Sequence, residues 1–130
     1  MDKMKVLFVC IYNTARSVIA ETIFNSLAKN WIAESAGIKK AEEIDPIVRK
    51  LLNEKGLKVK EKPQSIWELD LEKYDLIVTV CEESNCIILP TKKPVKSWYI
   101  EDPKGKSKEV YEKVFKEIEE KVKELVEKID

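Results

Sequence analysis

The apolar positions of this chain change their period near its start, and the change separates two kinds of element. Lys5-Val6-Leu7-Phe8-Val9 is a continuous, β-branched-rich run of the kind buried on both faces of a parallel sheet. From Ser17 onward Ile19, Ala20, Ile23, Phe24 and Leu27 recur at helical spacing, with Glu21 and Asn25 on the other side. The opening unit is therefore strand, loop, helix. Trp31-Ile32-Ala33-Glu34-Ser35 reads as a second strand ended by Ala36-Gly37. Asp45-Pro46 offers an N-cap followed by proline at the first helical position, Ile47, Val48, Leu51 and Leu52 give that helix an apolar face, and Gly56 stops it. Leu76-Ile77-Val78-Thr79-Val80 has the pattern of a central strand, and a weaker strand follows at Val95 to Trp98. Val110, Val114, Ile118, Val122, Leu125 and Ile129 then mark a long amphipathic helix whose Lys and Glu face is solvated. Lys58 to Pro63 and Pro103 to Lys108 read as mobile loops. Strands alternating with helices predict one α/β domain over residues 1–130, with a parallel sheet and helices on both faces. Such sheets bind ligands beyond the carboxyl ends of their strands.

Composition narrows the function. With 130 residues, 44% of them hydrophobic, the chain can build one contiguous core. Its 24 basic residues balance 24 acidic ones, so no global field recruits nucleic acid or an anionic membrane, and any anion site must be local. Met1-Asp2-Lys3 leads straight into the first strand and no apolar run approaches a bilayer span, which predicts a soluble, cytoplasmic protein. Three cysteines are too few, and of the wrong parity, for a secreted disulfide framework; buried thiols, a metal site or redox chemistry remain. Histidine is absent, which removes the serine–histidine and cysteine–histidine arrangements and most catalytic zinc sites. A nucleophile here must be activated in another way.

The loop Cys10-Ile11-Tyr12-Asn13-Thr14-Ala15-Arg16-Ser17 provides one. Cys10 sits where the first strand ends and the helix begins about Ser17, so the loop wraps a helix N-terminus with its amides free to point inward. Such a nest, together with the positive end of the helix dipole, holds a tetrahedral anion. Arg16 can close it with a bidentate contact to two oxygens. The same potential stabilises a thiolate at Cys10, to which Ser17 can add a hydroxyl hydrogen bond, and Asn13 suits the left-handed conformation that a tight loop needs. A lone cysteine at a strand end is more often a small buried hydrophobe. The company of Asn13, Arg16 and a strand-to-helix junction favours the nucleophile.

Val6-Leu7-Phe8-Val9-Cys10, Asn13, Arg16-Ser17 and Ala20-Glu21, followed by Ser35-Ala36-Gly37, Asp45-Pro46 and Asp102-Pro103, resemble the low-molecular-weight tyrosine phosphatase superfamily over nearly the whole chain. The resemblance implies a three-layer sandwich around a central, mainly parallel four-stranded sheet. For the site it implies Cys10 as nucleophile, Arg16 as oxyanion clamp and Asp102 as the general acid that protonates the leaving oxygen. An acid is needed in any case, because expelling an unprotonated oxygen from a tetrahedral centre is slow.

The superfamily divides into tyrosine phosphatases and thioredoxin-coupled arsenate reductases, and the chain resembles the second branch in carrying Cys81 and Cys86 after the strand Leu76 to Val80. That likeness implies that Cys10 attacks arsenate, that Cys81 resolves the adduct and releases arsenite, and that Cys86 takes the disulfide outward to thioredoxin or a similar dithiol. No organic cofactor is implied. Lys104-Gly105-Lys106 stands where the phosphatases usually place aromatic side chains. Several positions depart from the reductase pattern. The Cys81 to Cys86 spacing is two residues shorter than usual, Tyr12 stands where glycine is common and Ala15 where a second loop cysteine is common. Ser65 replaces an aspartate that in some reductases helps hold a monovalent cation beside Asn13, Glu21 and Ser35, so no metal is expected. The alternatives are a tyrosine phosphatase or small phosphate-ester hydrolase working through a phosphocysteine, and a thiol sensor or oxyanion-binding module without turnover. For Cys81 and Cys86 the bland reading is a buried thiol with a chance neighbour, or half of a metal site.

Overall fold

The computed structural model describes residues 3–83 and 86–130. Its elements run β1 (Met4–Cys10), α1 (Arg16–Leu27), β2 (Trp31–Gly37), α2 (Pro46–Glu54), β3 (Leu76–Cys81), β4 (Val95–Tyr99) and α3 (Lys108–Ile129), with single 3-10 turns at Ile66–Glu68 and Leu71–Lys73. The strands form one sheet in the order β2-β1-β3-β4, and every neighbouring pair is parallel. Each strand runs to or past the end that the hydrophobic pattern gives it. The backbone ladder continues where the side-chain pattern stops: Cys10 still pairs with Gly37, and Cys81 with Tyr99.

Alternation along β1 and β3 divides the core. Val6 and Phe8 of β1, with Val78 and Val80 of β3, join a cluster that takes in Val18, Ile19 and Phe24 of α1, Val48 and Leu52 of α2, and Val114, Ile118 and Val122 of α3. At its centre the Phe8 ring meets Phe24 edge-on at 5.9 Å and Trp98 at 5.5 Å. Leu7, Val9 and Ile77 face the other way, onto Ile66, Leu71 and Tyr74. The sandwich thus has its three layers, the second helical layer being made by the two 3-10 turns while all three α-helices share the first. Each turn is capped by its own side chain, Ser65 accepting from the Trp67 amide and Asp70 from the Glu72 amide. Asp45 does the same for α2, accepting from the Ile47 amide at 2.9 Å, and its second oxygen accepts from the Tyr111 hydroxyl at 2.6 Å, which ties α2 to α3. Asp130 accepts from the amides of Lys29, Asn30 and Trp31, fastening the end of α3 to the α1–β2 turn. Among the described residues, no helix is long and apolar enough to cross a membrane.

Candidate active site

The ends of β1 and β2 meet the start of α1, and the loop from Ile11 to Ala15 closes around that junction. Main-chain bonds fix it from outside: the Ile38 amide donates to the Cys10 carbonyl, Lys39 to Ile11 and Asp45 to Thr14. Asn13 takes φ 59°, the left-handed turn that lets the loop reverse. Ala15, the N-cap, has no polar side chain to fold over the first turn, so the opening amides of α1 are left to a ligand. Gly37 makes the closeness possible, because a Cβ there would lie 2.6 Å from the Tyr12 carbonyl carbon and 2.8 Å from the Asn13 nitrogen.

Cys10 is 3% exposed and its Sγ lies 2.7 Å from Ser17 Oγ and 3.3 Å from the Asn13 amide nitrogen, which donates to it. Asn13 Nδ2 donates to Ser17 Oγ at 2.8 Å, which leaves the Ser17 proton to point at the sulfur. Both contacts set a hydrogen-bonding group against the sulfur. Arg16 is buried at the mouth of the loop; its guanidinium donates to the Ile100 carbonyl at 2.9 Å and stands 3.9 Å from the Asp102 carboxylate. Asp102 accepts from the Lys104 amide and its side chain is 41% exposed, open to a proton from water. Tyr12 lies at the surface of the loop with Lys39 and Lys104 each 5.8 Å from its ring centre, so cations occupy the approach where the phosphatases place aromatic side chains.

Further polar groups back the loop, and the central one, Lys60, comes from a segment that the sequence marks only as a mobile loop. Lys60 Nζ donates to Asn13 Oδ1 and to the Ser35 carbonyl, both at 2.9 Å, and to Ser35 Oγ at 3.2 Å. It stands 3.7 Å from Glu21, whose Oε1 accepts from Ser35 Oγ at 2.6 Å. The Gln64 amide also donates to Asn13 Oδ1. Burial lowers Lys60 from its ordinary 10.5 and raises Glu21 from its ordinary 4.5; their mutual attraction opposes both shifts without cancelling them. Lys60, Gln64 and the Ile100 carbonyl carried no sequence signal, since a lysine between charged neighbours reads as solvent-facing and a carbonyl has no sequence at all. Gly37 carried one only as a strand end.

Cys81 is buried at the end of β3 and Cys86 exposed, and the two are joined in a disulfide with their Cα atoms 5.2 Å apart. The short spacing between them therefore suffices for closure. With Val9 level with Thr79, Cys81 falls one residue beyond the position level with Cys10 on the adjoining strand. Alternation turns Cys10 toward α1 and Cys81 toward the opposite face, the side of Ile77. One peptide bridges them: the Ile100 amide donates to the Cys81 carbonyl at 2.8 Å, while its carbonyl receives Arg16.

A strand-to-helix loop of this shape can hold a tetrahedral oxyanion against a sulfur, the arrangement expected of thiol-dependent enzymes that act on such ions. The chain belongs to the family of low molecular weight phosphotyrosine protein phosphatases, whose model matches residues 5–130. It is 31% identical over 131 residues to arsenate reductase 1 of Staphylococcus haemolyticus, covering 98% of each chain. The crystal structure of arsenate reductase from Archaeoglobus fulgidus superposes with a TM-score of 0.91 at 61% identity, over 93% of this chain and 98% of that one. The thioredoxin-dependent arsenate reductase of Corynebacterium glutamicum superposes with a TM-score of 0.76 at 27% identity, over 98% of this chain and 62% of that one.

Proposed function

We propose that this protein is an arsenate reductase that carries electrons from a dithiol protein of the thioredoxin type to arsenate. The observation that carries this reading is the Cys81–Cys86 disulfide one strand away from a free, buried Cys10. A phosphatase needs only the Cys10 loop, whereas a reductase needs a second and a third sulfur within reach of it.

In the first step Cys10 thiolate attacks arsenic in an arsenate held by the loop amides and Arg16, and Asp102 gives its proton to the departing oxygen, which leaves as water. A sulfur–arsenic bond has formed and an arsenic–oxygen bond has broken. Cys81 thiolate then attacks Cys10 Sγ; the sulfur–arsenic electron pair passes to arsenic, which falls from As(V) to As(III) and departs as arsenite. Cys86 thiolate attacks Cys81 Sγ next, Cys10 leaves as a thiolate, and the Cys81–Cys86 disulfide is left for the dithiol protein to reduce. The exposure of Cys86 favours that last exchange. Regeneration by a dithiol pool supports a location in the reducing cytoplasm. Arsenate-dependent oxidation of thioredoxin, followed through its reductase and NADPH, tests the reading. Stoichiometric arsenite with each NADPH consumed supports it; arsenate-independent hydrolysis of an aryl phosphate, with no thiol consumed, replaces it with the phosphatase.

A further inference from the structure

Lys60 lies outside every element that builds the anion loop, yet its part-buried ammonium sits in a cage made only of oxygens: Asn13 Oδ1, the Ser35 carbonyl, Ser35 Oγ and, a little further off, Glu21 Oε1. We propose that Lys60 is a positioning residue, a tethered monovalent cation whose contact with Asn13 holds the hydrogen bonds that keep Cys10 reactive. The connection is direct. Lys60 Nζ and the Gln64 amide both donate to Asn13 Oδ1, which fixes the amide with its Nδ2 toward Ser17. A Cys10 thiolate has no proton to give, so Ser17 Oγ, which accepts from Asn13, donates its own proton to Cys10 Sγ in that state. Every proton along Lys60, Asn13 and Ser17 therefore points toward the sulfur, and each bond polarises the next in favour of negative charge there. The monovalent ion that some reductases hold beside Asn13, Glu21 and Ser35 does not fit this chain, because the ammonium stands among those same oxygens. A fixed cation also explains why Ser65 lacks a carboxylate: its hydroxyl serves the Trp67 amide, and Glu21 supplies the negative charge facing Lys60.

The proposal rests on Cys10 as the nucleophile but not on arsenate as the substrate, so its test reads the thiol itself. With the Cys81–Cys86 disulfide intact, Cys10 is the chain's one free thiol and its alkylation by iodoacetamide is site-specific. In wild-type protein, exchanging potassium for tetramethylammonium at constant ionic strength should leave the alkylation rate unchanged. Lys60→Ala in tetramethylammonium should react about tenfold more slowly, the loss of one charge-assisted hydrogen bond at the head of the chain. Potassium or methylammonium, each small enough for the vacated cage, should restore most of that rate with saturation. A lysine that merely holds the loop in place would not be replaced by a free ion. Wild-type acceleration of several fold by potassium overturns the proposal, even if Lys60→Ala fails to fold. So does Lys60→Ala alkylating at the wild-type rate in tetramethylammonium, or slowing without rescue by either ion. Failure of arsenate reduction with these alkylation results intact would sink the reductase and leave Lys60 in its place.

Discussion

Gly37→Ala adds one methyl group behind the anion loop, and the structure specifies what it meets. The new Cβ would fall 2.6 Å from the Tyr12 carbonyl carbon, 2.8 Å from the Asn13 nitrogen and 2.9 Å from the Ile11 oxygen, where ordinary contact begins at 3.4 Å. All three are backbone atoms, so no side chain can swing away. Gly37 cannot retreat either, being paired with Cys10 and donating its amide to the Gln64 carbonyl at 2.8 Å. The anion loop must therefore yield by somewhat under an ångström. Overpacking of this kind costs about 1–3 kcal/mol. With an unfolding entropy of ~2.1 cal/mol/K per residue over 130 residues, each kcal/mol lowers Tm by about 4 °C, giving a fall of about 4–11 °C. The expected chemical effect is larger, because the displaced backbone belongs to the loop proposed to hold the oxyanion: misplacement on the order of 1 Å costs roughly a hundredfold in rate. Calorimetric melting, phosphate affinity by titration calorimetry and single-turnover arsenite release measure the three effects separately. Phosphate affinity and turnover within twofold of wild type, in a variant that melts at the wild-type temperature, would refute the claim that this glycine sets the shape of the loop.

Other perturbations separate the roles assigned above. Cys86→Ser should release about one arsenite per enzyme and then stop with a Cys10–Cys81 disulfide, seen by peptide mapping; sustained turnover would remove Cys86 from the relay. Asp102→Asn keeps an oxygen for the Lys104 amide but loses the proton, so the first step should slow by about 10²–10⁴-fold while phosphate still binds, and an unchanged rate would exclude it as the acid. Glu21 holds its proton more tightly folded than unfolded, so its stabilising contribution is complete below pH 4.5 and is lost as pH rises through the raised native value. The difference in urea midpoint between wild type and Glu21→Gln should change sharply across the interval that starts at pH 4.5 and flatten beyond it; a difference independent of pH would contradict the burial argument.

The strand, loop and helix around Cys10 were legible because the period of the apolar residues switches from a continuous run to helical spacing on either side of residues 10–16. The cap at Asp45-Pro46 was legible because its chemistry is local. The turns at Ile66–Glu68 and Leu71–Lys73 were not, since three residues are too few to display any period, and the pattern predicts no element between Pro63 and Leu76. Lys60 shows the sharper limit. Its four partners come from α1, β2 and the anion loop, so its burial is a product of the whole topology, and between Lys58 and Glu61 nothing distinguishes it from a solvated neighbour. Cys10, Arg16, Asp102, Cys81 and Cys86 were put forward by chemistry and likeness together, and what the sequence omitted was that Cys10 and Cys81 face opposite sides of the sheet.

That opposition makes the sheet a partition between two kinds of traffic. In the proposed reaction the oxyanion arrives on the side of α1, beside Tyr12, Lys39 and Lys104, while the disulfide lies on the side of Ile77 with Cys86 at the surface. A bulky protein reductant and a small anion need not compete for one doorway. In the proposed relay, reloading with electrons can then proceed while the next anion is already seated, and the sulfur of Cys81 has to cross between the two compartments at the end of β3, where its pairing with Tyr99 and the Ile100 amide still hold its backbone.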